Sequence, residues 1–267
     1  MFDKFIHKTL SVPYKLHVAF DKRPKGIERN TLVFLHGVAA SSHTWDELLK
    51  IIKQDPTFES VRLIGIDLLG FGKSASPKWN KFAVRDQVRA IHRTLGGLFI
   101  TGPITIVGHS MGALLATEYT ARYNSAKQLV LVSPPFMTPK EQRIPSDVLY
   151  AAMLDNLKKA AGSKGGKKVA GVVEKFSNFE AKYAKSPAFR RSMDNVVLKG
   201  HAWDEVKRLN IPVLLVNGTF DSIVSRANLL KLAKYAHISL AESANGHSVS
   251  PRRSPFIVEE IKKALES

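Results

Sequence analysis

Five residues, Gly108-His109-Ser110-Met111-Gly112, set a serine hydroxyl between two glycines at the spacing Gly-x-Ser-x-Gly. A serine hydroxyl is a poor nucleophile until a base takes its proton and a further group holds that base in orientation. Chemistry at Ser110 would therefore need an imidazole, a carboxylate, and donors aimed at the oxyanion that develops on attack. The glycines permit a tight turn that lifts the serine above a sheet in strained backbone geometry. With Gly and Ser each near ~7% of residues, a chain of this length produces the pattern by chance about one time in ten. The pentapeptide alone is equally an ordinary glycine turn, so its placement has to decide.

That placement is strand, turn, helix. Apolar residues 104–107 directly precede the motif and a helical pattern over 113–123 directly follows, which would set a helix N-terminus beside the serine as an anion site. The rest of the chain alternates short apolar runs with amphipathic ones, the pattern of a mostly parallel sheet flanked by helices. Predicted strands cover residues 14–20, 31–35, 61–66, 104–107, 129–132, 212–216 and 238–240; predicted helices cover 44–53, 82–99, 113–123, 227–235 and 255–265. Residues 31–35 read as buried on both faces, residues 21–26 as a polar turn, and residues 68–74 as a loop too glycine-rich for regular structure. From 134 to about 202 there is no strand candidate, only helical stretches such as 148–161 around Gly162-Ser163-Lys164-Gly165-Gly166. A parallel crossover needs only about a dozen residues. The longer piece predicts a helical cap, residues 134–202, inserted in a core domain of residues 1–133 and 203–267. The chain shows no internal repeat.

Taken together, these features resemble the α/β-hydrolase family over essentially the whole chain. His36-Gly37-Val38, after a buried strand, resembles that family's oxyanion loop, and Asp67-Leu68-Leu69-Gly70-Phe71-Gly72-Lys73-Ser74 resembles its Asp-x-x-Gly-x-Gly-x-Ser loop. The resemblance implies the α/β-hydrolase fold with a triad in the chain order Ser, Asp/Glu, His. On it, Ser110 is the nucleophile, Asp221 in Asn217-Gly218-Thr219-Phe220-Asp221 is the acid, and His247 in Asn245-Gly246-His247 is the base. Without it, Asp221 reads as a helix cap and His247 as a loop histidine. Glu242 is a second acid candidate, past the next strand and close to the histidine loop. The implied oxyanion donors are the backbone N–H groups of Val38 and Met111. His36 and His109 are expected to pack or hydrogen-bond structurally, and His7, His17, His43, His92, His201 and His237 lie off the expected loop. Ser133 serves as the bystander serine in a labelling control.

Composition excludes several other chemistries. The 267 residues contain no cysteine, which removes disulfides, thiolate metal sites and cysteine nucleophiles. No His-Glu-x-x-His or EF-hand pattern is present, so neither a metal nor a cofactor is expected. A hydrophobic fraction of 44% and a mean hydropathy of −0.10 describe a globular chain with a sizeable core and no membrane span. Met1 to Lys8 lacks the apolar stretch of a secretory signal, and a cytoplasmic location is expected. The net charge of +17, from 40 Lys+Arg against 23 Asp+Glu, is spread along the chain. With no nucleic-acid motif beside it, the charge reads as a solvated basic surface rather than a nucleic-acid site. The oligomeric state is not encoded in any pattern found.

Within the resembled family, epoxide hydrolases and haloalkane dehalogenases place aspartate at the nucleophile position, and dienelactone hydrolases place cysteine. Carbon–carbon bond hydrolases carry a longer glycine-rich oxyanion loop and a tryptophan after the histidine, where this chain has Val38-Ala39-Ala40-Ser41-Ser42 and Ser248. The plainest expectation is hydrolysis of a small-molecule carboxylic ester through an acyl-enzyme. Thioester or carbon–carbon cleavage, or a slow-turnover small-molecule receptor, would use the same residues. Phe136, Met137, Tyr150, Met153, Leu154, Phe176 and Phe179 could line an apolar pocket for a small or medium acyl group, or simply pack the cap onto the body. Lys158, Lys159, Lys164, Lys167 and Lys168 could draw in anionic substrates.

Overall fold

In the computed structural model of the chain, the residues described are 2–139, 155–156, 159, 178–183, 185–199 and 201–266. Most of the predicted cap therefore lies outside them: the helical stretch 148–161 apart from Asp155, Asn156 and Lys159, the glycine segment 162–166, Tyr150, Met153, Leu154, Phe176, and the lysines other than Lys159.

Seven strands form one sheet in the order β1-β3-β2-β4-β5-β6-β7. They are β1 (Val18–Lys22), β2 (Asn30–Leu35), β3 (Val61–Ile66), β4 (Ile104–His109), β5 (Gln128–Val132), β6 (Val213–Gly218) and β7 (Ile238–Ser243). All neighbours run parallel except β1, which pairs antiparallel with β3. The α-helices bounded among the described residues are α1 (Phe2–Lys4), α2 (Asp46–Ile52), α3 (Val84–Gly96), α4 (Met111–Tyr123), α5 (Pro187–Ser192), α6 (Ala202–Arg208), α7 (Arg226–Leu232) and α8 (Ser254–Glu266).

Successive strand residues point to opposite faces, and this splits the core in two. Val33, Leu35, Ile64, Ile106, Leu131 and Leu215 face a layer supplied by α3, α4, α6 and α7. Leu32, Phe34, Leu63, Val107, Val130 and Val216 face Leu48, Leu49 and Ile52 of α2 and Ile257, Val258 and Ile261 of α8. Central strands buried on both sides are continuous apolar runs for this reason, and β2 is one, with Leu32 to Leu35 fully buried.

The edges are where sequence pattern and structure part. The first strand begins at Val18 and takes in Asp21 and Lys22, which the sequence assigned to a turn; Tyr14 and Leu16 are buried ahead of it. As an edge strand, β1 can leave polar residues in its ladder, and Asp21 is held there by Arg62, whose Nε and Nη2 each donate at 2.8 Å. At the other edge, β7 extends to Ser243, so Glu242 lies in a strand rather than beyond it. α4 starts at Met111, immediately after Ser110.

β2 is the switch point of the sheet, with β3 on one side and β4 on the other. Loops leaving the carboxyl ends of strands diverge there and form a crevice. The loops after β2 and β4 are those that carry Gly37 and Ser110.

Candidate active site

Ser110 sits at that crevice with φ 54° and ψ −120°, a backbone region that a serine enters only when its surroundings impose it. Its N–H donates to Val132 O at 2.9 Å. The two motif glycines make the turn possible by letting α4 approach the sheet. A Cβ on Gly108 would lie 2.6 Å from Ala113 Cα, and one on Gly112 would run into the carbonyl oxygens of Leu35 and His36. Met111 opens α4, so its N–H belongs to the first turn, where no intrahelical acceptor exists. The loop after β2 closes against the same point: a Cβ placed on Gly37 would be 3.2 Å from Ser110 Cβ.

Asp221 and His247 come together across 26 residues. His247 Nδ1 donates to Asp221 Oδ2 at 2.8 Å, with the imidazole 5% exposed and the carboxylate fully buried. This bond places the ring proton on Nδ1 and leaves Nε2 with its lone pair. Burial alone would raise the Asp221 carboxyl. The His247 charge and hydrogen bond, the Ile223 amide and the Ser133 hydroxyl outweigh it and bring the pKa down to about 2. Asp221 Oδ1 also accepts from the Ile223 and Val224 amides at 2.9 and 3.1 Å, so its capping of the next turn and its bond to His247 coexist.

The other histidines have separate duties. His109 Nε2 donates to His247 O at 3.0 Å, and burial, followed by the His247 charge, pushes its pKa well down, so the ring is neutral. His36 Nδ1 donates to Gly37 O at 2.7 Å while its Nε2 accepts the Leu68 N–H at 2.9 Å. Both are structural, as expected from sequence. Glu242 is committed elsewhere, forking onto Arg226 at 2.7–3.1 Å.

Three features had no sequence signal. The first is Arg253, fully buried at the head of α8. Its Nη1 donates to Ser133 Oγ (2.8 Å), Gly246 O (2.9 Å) and His247 O (3.0 Å), and its Nη2 to Val216 O (3.1 Å). Burial lowers the guanidinium to about 10, with the Asp221 charge acting the other way, so it remains a cation at neutral pH. The second is Ser133, which accepts from Arg253 and donates to Asp221, and so relays between the cation and the carboxylate. It is no bystander. The third is residues 178–183, which cross this end of the sheet. Asn178 exchanges two bonds with Val249 (3.0 and 2.7 Å), the Glu180 N–H donates to Ala39 O, and Tyr183 Oη accepts the Gly72 N–H at 2.7 Å.

Asp67 locks the remaining loops. Its Oδ1 accepts from Ser42 N–H and Oγ, and its Oδ2 from the Lys73 N–H and His17 Nδ1, all at 2.8–2.9 Å. Burial opposes its ionisation, and the Lys73 amide with the Ser42 amide and hydroxyl still hold it below the usual carboxylate range. Phe136 and Met137 pack into the body core, and Phe179 meets Phe189 edge to face with ring centroids 5.4 Å apart. Lys159 is ion-paired to Asp155 at 2.6 Å.

Among the described residues no three His, Asp or Glu side chains converge as a metal site, and no helix is long and apolar enough to cross a membrane. An imidazole with one nitrogen held by a buried carboxylate, on a loop bonded to His109 next to the strained Ser110, is the kind of group that accepts a proton and returns it.

Residues 30–166 match the family described as alpha/beta hydrolase fold, and the chain belongs to that family. It is 36% identical over 107 residues to the probable lysophospholipase BODYGUARD 4 of Arabidopsis thaliana, covering 39% of this chain and 25% of that one. A mouse (Mus musculus) (lyso)-N-acylphosphatidylethanolamine lipase is 29% identical over 136 residues, covering 49% and 38%. The chain thus spans about a quarter of the length of the plant relatives it matches. In fold it is similar to an esterase from Exiguobacterium antarcticum, with a TM-score of 0.77, 18% identity, and coverage of 95% and 96% of the two chains.

Proposed function

We propose that the chain is a serine hydrolase that cleaves carboxylic esters of small to medium acyl groups through an acyl-enzyme. The observation that carries this is the buried 2.8 Å His247–Asp221 bond next to the strained Ser110 elbow. Ser110 Oγ attacks the ester carbonyl as His247 Nε2 takes its proton, and the tetrahedral oxyanion forms against the N–H groups of Val38 and Met111. Collapse expels the alcohol, protonated by His247. Water then attacks the acyl-serine by the same relay. Asp221 fixes the tautomer and balances the imidazolium. Asn178, Glu180 and Tyr183 bond to the loops at Val249, Ala39 and Gly72, and they belong to the cap we assign to residues 134–202, which would set the acyl length accepted.

Esterases among the structural neighbours and lysophospholipases among the sequence relatives support the ester reading. Lysophospholipids accordingly belong in the ester panel beside short p-nitrophenyl esters. A fluorophosphonate probe should label the wild type and an exposed-serine control, Ser239→Ala, and should not label Ser110→Ala. Labelling that persists in Ser110→Ala sinks the assignment. Release that stops near one equivalent would identify a slow-turnover receptor instead.

A further inference from the structure

The edge of the sheet opposite Ser110 carries an unexplained surface. β2, β3 and β4 begin there, and antiparallel β1 ends there, with Lys22 opposite Leu63. Two turns, residues 23–29 and 97–102, close this edge and are tied rigidly together. Glu28 Oε1 accepts from the Thr101 and Gly102 amides at 3.2 Å each. The fully buried Arg62 guanidinium donates to Glu28, to Phe99 O (3.2 Å) and to Leu98 O (2.9 Å), and Arg23 donates to Leu98 O as well.

On this platform stand the two most exposed large apolar residues among those described, Ile27 at 80% and Phe99 at 82%. Phe99 has φ 49°, a conformation that costs an aromatic residue backbone strain, and Arg62 holds it there. Strain spent on keeping a phenyl ring in water is unrewarded within the chain itself. Ile27 borders an open groove of about 1010 Å³ that is also lined by Lys22, Arg23, Lys25, Arg29 and Lys53. None of the five takes part in an ion pair among the described residues. The groove also contains two carboxylates, Glu59 and Asp55, and Asp55 is engaged by the Thr57 amide and Lys262. Burial, and then the neighbouring Lys53, lower the Lys22 pKa, against a smaller opposing pull from Asp46.

We propose that this edge docks on an anionic phospholipid bilayer, with Ile27 and Phe99 entering the headgroup–acyl boundary and the five cations facing lipid phosphates. An acidic protein or a nucleic acid would answer the cations and leave Ile27 in water. A neutral apolar partner would cover Ile27 and Phe99 and leave five cations in excess over the two carboxylates of the groove. A bilayer with anionic headgroups above an apolar layer satisfies both at once. Docking here leaves the Ser110 edge facing away from the lipid, and the inference does not rest on the hydrolase reading.

The test is co-sedimentation of the full chain with vesicles of phosphatidylcholine alone and of roughly 7:3 phosphatidylcholine:phosphatidylserine. Binding to the mixed vesicles only is expected, and it should weaken with added salt. Lys22→Gln/Arg23→Gln/Lys25→Gln should weaken it on the order of a hundredfold, about fivefold per cation. Ile27→Ser/Phe99→Ser should weaken it by about tenfold or more. All five positions are at the surface, so the fold is kept, and circular dichroism should match the wild type. Lys73→Gln/Lys78→Gln/Lys81→Gln, with the same change of net charge at the opposite edge, should bind as the wild type does. The proposal is overturned by absence of binding to the mixed vesicles, or by an equal loss in the opposite-edge variant. Wild-type binding by Ile27→Ser/Phe99→Ser would also overturn it, as would retention on heparin without vesicle binding, which would mark a polyanion site.

Discussion

Arg253→Met tests whether the buried cation positions the reacting groups or only fills space. Four hydrogen bonds disappear, but two of the acceptors keep another donor: Val216 O retains the Ser133 N–H at 2.8 Å, and His247 O retains His109 Nε2 at 3.0 Å. Ser133 keeps its bond to Asp221 but loses the donor that fixes its direction. Gly246 O is the acceptor left without a side-chain donor. Gly246 is exposed and its carbonyl can turn to water, so the cost comes from the lost hydrogen bonds to a charged donor, about 1.5–3 kcal/mol each, and relief of the guanidinium's burial offsets most of it. The net expectation is about 2 kcal/mol, or a fall in Tm of about 4–8 °C for a domain of this size. Activity should suffer more than stability. Freed on one side, the histidine loop and the Ser133–Asp221 bond no longer hold the imidazole in register, and such misplacement costs about 10–100-fold in kcat. KM on a short p-nitrophenyl ester should stay within about twofold, since Arg253 touches no substrate. Arg253→Lys keeps the charge but not the fork and should recover part of the lost kcat. Thermal denaturation and steady-state kinetics on the three proteins decide the matter. A lowered Tm with wild-type kcat would refute the positioning role and leave Arg253 a packing residue.

Gly112→Ala pushes a methyl group into the Leu35 and His36 carbonyls, which are backbone and cannot swing away; about 3 kcal/mol or more should be lost, read as a lower denaturant midpoint or as insoluble protein. The Asp221 carboxyl is depressed from 3.8 to about 2, so its contribution is present above about pH 4 and lost as pH falls toward 2. That amounts to roughly 2 kcal/mol, and Asp221→Asn should flatten this part of the stability–pH curve in acid titrations followed by tryptophan fluorescence; an unchanged slope would contradict the assignment.

Much of the site was legible because its demands are local. Gly108 and Gly112 are required by a strand and helix that adjoin in sequence, and the apolar run 104–107 marks the strand. Asp221 and His247 could be located through the family resemblance, which supplies the order that periodicity cannot. Arg253 could not. In sequence it is one of two adjacent arginines, and only the docking of α8 against the Gly246–His247 loop decides that Arg253 turns inward while Arg252 stays exposed. Ser133 was misjudged for the same reason, since its two partners come from elements far along the chain. The edge strands were mis-bounded because alternation weakens where one side of the ladder faces water; Asp21 and Glu242 are held in strands by Arg62 and Arg226, charge pairs between residues far apart in sequence.

The reach of Arg253 into the histidine loop also sets an order of events. A chain made from its N-terminus exposes the serine elbow and the Gly37 loop long before residues 247 and 253 exist. On the proposed triad, until α8 docks the hydroxyl has neither its imidazole nor the cation that braces that loop. Chemical competence should therefore arrive as a single late step in refolding rather than grow with the sheet. Fluorophosphonate reactivity that rises before α8 is protected from hydrogen exchange would show that the elbow needs less than the whole network.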